Sequence, residues 1–183
     1  MKFAILVLSL AATCLQPSPL LAFPTVVDHC GRIESKYDGF NHETIITLKK
    51  MKVTCDGTKG NFKDACVSMT ASLHCPGIQL DYVRYARIQL IFQSKDWDQR
   101  HPVEQRDLSV VADGETIRLG RMGLLSQSTD VMMTEVLEAT VPYKTFLKIM
   151  NAQVVEMQVG KSRFELRGNN LMALRDLNNR VKP

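Results

Sequence analysis

The sequence predicts a mainly β protein, an antiparallel β-sandwich or open barrel of about nine strands with two short helices toward the C-terminus. Several segments alternate apolar and polar residues with period two, which gives a sheet one buried and one wet face. Asp113-Gly114 and Gly160-Lys161 each separate two β-prone runs, as hairpin turns do. Strands do not alternate with long helices, so a parallel α/β sheet is not expected.

The first half of the chain supplies the clearest strands. Residues 23–41 lack clean periodicity and are predicted to form an arm or loop that Cys30 ties down. Residues 43–55 are rich in β-branched side chains. The alternation in 67–75 predicts a core face and a solvent face that includes His74. The core face comprises Val67, Met69, Ala71, Leu73 and Cys75. A strand is predicted over 82–92, and its core-facing side chains are those of Ala86, Ile88, Leu90 and Phe92.

The second half predicts two hairpins, one strand and the two helices. The hairpins span 108–120 and 153–168, and a strand runs from about 132 to 141. Pro142 favours the start of a short helix, because proline is tolerated in the first helical turn. The last helix is predicted over 169–181, with Asn169 or Asn170 as its N-cap. Its apolar face comprises Leu171, Leu174 and Leu177.

The N-terminus has the build of a secretory signal peptide. Lys2 precedes a mostly apolar run, and a proline-marked segment ends at Ala22. Cleavage there leaves one domain, residues 23–183, with no predicted membrane span, in a secreted or periplasmic location. A lipoprotein with Cys14 as the lipid-bearing residue is the alternative, although the sequence before Cys14 fits that pattern poorly.

Signal removal also changes the cysteine count. Cys14 leaves, and Cys30, Cys55, Cys66 and Cys75 remain, an even number that predicts two disulfides in an oxidising compartment. One pairing joins Cys55 to Cys66 and Cys30 to Cys75. The other joins Cys30 to Cys55 and Cys66 to Cys75.

The loop CDGTKGNFKDAC, residues 55–66, is a candidate ligand site. Its glycine spacing does not match a P-loop, and its acid spacing does not match an EF-hand. A zinc site is disfavoured because His74 and Cys75 are adjacent in a strand and point to opposite faces. We therefore expect no metal and no cofactor.

The loop SKDWDQRH, residues 94–101, is the segment that most resembles a catalytic one. Asp96 and Asp98 could act as paired carboxylates with His101, and Trp97 could stack on a flat ligand. The simpler interpretation is a solvated loop whose Trp97 folds back onto the core rim. No G-x-S-x-G nucleophile motif is present.

The pattern DGETIRLG followed by EVLEATVPYKTFLKIMNAQVVEMQVGKSRFELRGNNLMAL, within about residues 82–180, resembles uncharacterised secreted bacterial proteins. The resemblance implies a β-sandwich with appended helices, and it assigns a function to no residue.

Two functional hypotheses follow from these observations. The first is a non-catalytic module that binds an envelope or extracellular partner, either protein or glycan. The second is a small hydrolase that uses Asp96, Asp98 and His101. Lys2 is the only charge in the first 22 residues, so cleavage lowers the net charge from +4 to +3. This small, dispersed excess does not indicate nucleic-acid binding.

Overall fold

A computed structural model describes residues 31–55, 65–94, 101–128 and 133–181. The predicted signal peptide, Cys30, residues 56–64 of the cysteine loop and the segment with Asp96, Trp97 and Asp98 lie outside these ranges.

The described residues form ten strands and two α-helices. In chain order they are β1 (Arg32–Asp38), β2 (Glu43–Cys55), β3 (Ala65–Pro76), β4 (Tyr85–Ser94), β5 (Asp107–Ala112), β6 (Glu115–Arg121), β7 (Gly123–Ser128), β8 (Met133–Pro142), α1 (Tyr143–Asn151), β9 (Val155–Val159), β10 (Ser162–Leu166) and α2 (Gly168–Asn179). A single 3₁₀ turn, Val103–Gln105, precedes β5.

The strands form two open antiparallel sheets, which confirms the predicted fold class. The six-stranded sheet has the order β1-β2-β3-β4-β8-β7, and the four-stranded sheet has the order β10-β9-β5-β6. Every neighbouring pair is antiparallel. The architecture is a β-sandwich rather than a closed barrel.

Period-two alternation of β3, β4 and β8 defines the core. Their inward side chains are almost fully buried, and the residues between them are mostly half-buried. The core also receives Phe146 and Ile149 from α1 and Leu171, Leu174 and Leu177 from α2. Burying one such side chain contributes about 1.5–3 kcal/mol, so the two helices add to the stability of the core.

The hairpin turns follow the sequence prediction. Asp113 and Gly114 have φ angles of 48° and 86°, which is the positive-φ pair that a type I′ turn requires. The Asp113 carboxylate also accepts hydrogen bonds from the backbone N–H groups of Gln153 and Val154. The turn thereby fixes the chain between α1 and β9.

Three parts of the sequence prediction were wrong. Residues 32–38 form edge strand β1 rather than an arm, and β7, whose side chains are all exposed, was not predicted. Both are edge strands that bury little, so their sequences lack the alternation that identifies a half-buried strand. Arg167, not an asparagine, is the N-cap of α2, and the Asn170 side chain accepts a hydrogen bond from the Arg167 backbone N–H.

The strand register separates the two cysteine pairings. Cys55 lies opposite Cys66 in the β2–β3 ladder, and directly opposed Cα atoms have the spacing that a disulfide needs. Cys66 and Cys75 both lie in β3, nine residues apart, which is about 30 Å in a strand. The pairing that includes Cys66–Cys75 is therefore wrong. The structure leaves the buried Cys75 as a free thiol, and its other predicted partner, Cys30, lies outside the described residues.

We expect disulfide mapping to link Cys55 to Cys66, because the ladder holds their Cα atoms face to face. Cyanogen bromide cleaves after Met69 and separates Cys66 from Cys75, and trypsin then cleaves after Lys59 and Lys63. The measurement is mass spectrometry of this double digest, with a reduced sample as the control. A Cys66 peptide linked to a Cys75 peptide would contradict the register.

Candidate functional site

A glutamate lies on the core face of β8. Glu135 is 1% exposed and follows the same inward alternation as Met133 and Leu137. A carboxylate taken out of water is strongly destabilising unless hydrogen-bond donors or a positive charge compensate it. The chemistry of this end of the sandwich follows from how Glu135 is compensated.

His101 supplies two of the compensating donors. Its ring Nδ1 lies 2.7 Å from Glu135 Oε2, and its backbone N–H donates to the same oxygen at 3.1 Å. Arg106 adds a positive charge, with Nη2 at 3.8 Å from Glu135 Oε1. The Arg106 Nε donates to the His101 carbonyl at 2.8 Å, which fixes the segment that carries the histidine.

Ser162 completes the chain of contacts. Its Oγ lies 2.8 Å from His101 Nε2. In the neutral ring, donation from Nδ1 to Glu135 leaves Nε2 as the acceptor of the Ser162 hydroxyl proton. Hydroxyl, imidazole and carboxylate therefore stand in the order that serine hydrolases use, and we call Glu135, His101 and Ser162 the 135–101–162 triad.

Gly160 allows Ser162 to reach His101. It has a φ of 55°, and a Cβ at this position would lie 2.7 Å from the Gln105 carbonyl oxygen and 3.4 Å from His101 Cδ2. A side chain would therefore push the β9–β10 turn away from the segment that carries His101. The aromatic ring of Phe92 packs on the His101 ring from another side, with centroids 4.3 Å apart.

A cleft of about 660 Å³ lies beside this turn. Gly160 and Lys161, the two residues that precede Ser162, form part of its wall. The negative charges of Glu104 and Asp107 are balanced by the positive charges of Arg118 and Lys161. The remaining wall is largely uncharged and includes Gln105, Ser109 and Gln158.

A second serine, histidine and glutamate set lies on the outer face of the six-stranded sheet. His74 Nδ1 is 3.0 Å from Glu43 Oε1, and its Nε2 is 3.1 Å from Ser72 Oγ. The prediction that His74 is a surface residue was wrong, because the ring is 2% exposed and stacks on Tyr85. The Arg87 guanidinium lies over the Tyr85 ring, 5.4 Å from the ring centre.

Burial lowers the pKa of His74 below its usual value, and the nearby Glu43 carboxylate opposes that shift. Burial also raises the pKa of the Cys75 thiol, which lies on the other face of the same strand. His74 and Cys75 therefore point in opposite directions, as the sequence indicated.

Exposed apolar side chains gather at the opposite end of the sheet from His101. Phe40 is 92%, Ile78 77%, Tyr82 60% and Tyr37 43% exposed. They lie at the end of β1, in the β1–β2 turn and in the β3–β4 connection, and we call them the apolar loop end. The two loops are joined because Gly77 N–H donates to the His42 carbonyl and Thr44 Oγ1 donates to the Gly77 carbonyl, both at 2.7 Å.

Of the candidate catalytic and ligand-binding residues that the sequence predicted, the structure describes only His101. Asp96, Trp97 and Asp98 lie outside the described residues, so their proposed roles stay predictions. The partners that the structure gives His101, Glu135 and Ser162, were missed. Glu135 could have been found from MTEVLEATV, where a glutamate occupies an inward position of an alternating strand. Ser162 has no comparable signal.

Comparisons with protein-family models, curated proteins and solved structures give no match for this chain. In the four described ranges, no group of three or more histidine, cysteine, aspartate or glutamate side chains is arranged to hold a metal ion. Neither α-helix in these ranges is long and apolar enough to cross a bilayer.

Stability should depend on His74 below neutral pH. The folded protein has the lower His74 pKa, so its contribution is fully present above the unfolded value of about 6.5 and is lost as pH falls through the folded pKa. We expect urea unfolding to show a free energy that decreases as pH falls in this window, with a shallower decrease in His74→Gln. Equal pH dependence in both proteins would contradict the assignment.

Gly160→Ala should destabilise the protein by at least about 2 kcal/mol, because it combines a left-handed backbone with a contact to a carbonyl oxygen. That loss corresponds to a decrease in Tm of roughly 4–8 °C. Gly114→Ala is the matched control, since Gly114 also has positive φ but has open space around its Cβ position. Equal losses in the two variants would show that the Gln105 contact is unimportant.

Proposed function

We propose that the protein is a binding module of the secreted or periplasmic space, and that its apolar loop end binds a protein partner of the envelope or exterior. The observation that carries this proposal is the concentration of large exposed apolar side chains on two loops that hydrogen bonds hold together. Single exposed apolar residues are ordinary, but a group of them on one surface is typical of interaction sites.

The side-chain chemistry favours a protein over a glycan as the partner. Protein interfaces are enriched in aromatic residues, which supply large contact areas with little loss of conformational entropy. Phe40 and Ile78 offer no polar group to a sugar hydroxyl, whereas an apolar protein segment would bury both. Tyr37 donates or accepts a hydrogen bond with His42 at 3.3 Å, which helps to orient its ring.

The loops are prepared for binding before any partner arrives. Asp38 accepts hydrogen bonds from the backbone N–H of Phe40 and from the side chain of Asn41. These bonds close the β1–β2 turn and lower the pKa of Asp38, with the Asn41 bond as the largest cause. A turn fixed in this way loses less entropy when its side chains are immobilised in a complex.

The decisive variant replaces Phe40, Ile78 and Tyr82 by serine. A photo-reactive amino acid at position 40, compared with position 103, first identifies a protein partner in an envelope extract, and the partner is then purified. We expect the triple variant to weaken its binding by at least about 30-fold, because loss of a buried aromatic anchor commonly removes 2 kcal/mol or more.

The matched control is Leu124→Ser with Leu125→Ser, which removes two exposed apolar side chains from edge strand β7. This control should bind as the parent does in isothermal titration calorimetry. Equal weakening in both variants would contradict the proposal. So would cross-linking to a glycan, or a partner whose affinity for the triple variant is unchanged.

A further inference from the structure

We propose that the 135–101–162 triad is a second functional site, in which Ser162 is the nucleophile for hydrolysis of small, uncharged carboxylic esters. This activity goes beyond the proposed binding function and does not depend on it. The site lies near the ends of β4 and β8 where Ser94 pairs with Met133, which are remote from the apolar loop end.

The first support is the placement of the three groups. The 2.8 Å contact between Ser162 Oγ and His101 Nε2 is within the range for proton transfer between a nucleophile and its base. The 2.7 Å contact between His101 Nδ1 and Glu135 then holds the ring with Nε2 toward the serine. Ser162 itself is half-buried, so part of the residue is open to solvent.

The second support is the rigidity of the base. Glu135 holds both the ring and the backbone N–H of His101, and the Phe92 ring packs against the imidazole. Arg106 Nε holds the His101 carbonyl. Positioning residues of this kind are what a hydrolytic site needs, since small displacements of a base lower the rate strongly.

The reaction needs only an ester and water. Ser162 Oγ attacks the ester carbonyl carbon while His101 Nε2 takes the hydroxyl proton. The carbon–oxygen bond to the leaving alcohol breaks, and the proton on Nε2 passes to that alcohol. Water then attacks the acyl-serine, gives its proton to Nε2, and the acid is released as the proton returns to Ser162.

The cleft beside the turn indicates the substrate class. Its two acidic and two basic side chains balance, and the glutamine and serine side chains in its wall offer neutral hydrogen-bonding groups. A charged substrate would therefore gain little electrostatic stabilisation in this cleft. An uncharged ester is the substrate class that this wall fits.

The outer-face set of Ser72, His74 and Glu43 provides a comparison within the same molecule. Its serine contact is longer, at 3.1 Å, and serine and histidine lie two residues apart on one strand of the sheet surface. The two residues before Ser162, Gly160 and Lys161, line the cleft beside the β9–β10 turn, whereas no residue of β3 lines any of the described clefts. We therefore assign the nucleophile to Ser162 and not to Ser72.

The test is labelling with a fluorophosphonate probe together with hydrolysis of p-nitrophenyl acetate. We expect the parent to be labelled at Ser162, as located by peptide mass spectrometry. Ser162→Ala should lose the label and at least about 100-fold of kcat/KM. Ser72→Ala should keep both, and thermal unfolding of the two variants verifies that each is folded.

Glu135→Gln tests the positioning role. It should keep a detectable label but slow the labelling rate, with a larger effect on kcat than on KM, because the amide no longer fixes the ring as a carboxylate does. An unlabelled parent, equal labelling in parent and Ser162→Ala, or a label found on Ser72 would overturn the proposal.

Discussion

Glu135 is a carboxylate buried between the two sheets, and the fold must place hydrogen-bond donors or a positive charge beside it. Removing such a charge from water costs several kcal/mol, so donors must come to it. They come from the segment that joins β4 of one sheet to β5 of the other, through His101 and Arg106. The bonds to Glu135 therefore also fix the described part of this connection, residues 101–106, which leads into β5. The β9–β10 turn can pack on this segment only because position 160 lacks a side chain.

The six-stranded sheet separates two chemically different ends. Tyr85 at one end of β4 and Phe92 near the other are seven residues apart, which is about 23 Å in a strand. The Tyr85 end exposes apolar side chains on short loops, whereas the Phe92 end carries the 135–101–162 triad. Because the central strands are paired on both sides, the sheet holds these ends at a fixed distance. A partner at one end need not cover the cleft at the other.

Alternation determined how much of the fold the sequence could predict. Strands β3, β4 and β8 each have one buried face, so their apolar residues fall at every second position and their boundaries could be placed closely. Edge strands β1 and β7 bury little and left no such pattern. The site was harder because Ser162 and His101 are 61 residues apart and meet only through the packing of one sheet on the other. His101 was a candidate from its loop, whereas its partners depend on tertiary structure.

Two serine, histidine and glutamate sets in one small domain show that hydrogen-bond order does not by itself assign chemistry. In both sets the carboxylate fixes the ring, and in both the serine bonds to the free ring nitrogen. The outer set is explained by stability, because His74 fills a position between Glu43, Ser72 and the Tyr85 ring on a sheet face. The inner set also stabilises, since it compensates Glu135, but that role requires only His101 and Arg106. The contact from Ser162 satisfies the second ring nitrogen of the buried His101, as Ser72 does for His74, so it does not by itself indicate reactivity. The distinguishing feature of the inner set is the open cleft lined by Gly160 and Lys161, and this cleft is the physical reason to look for reactivity at Ser162.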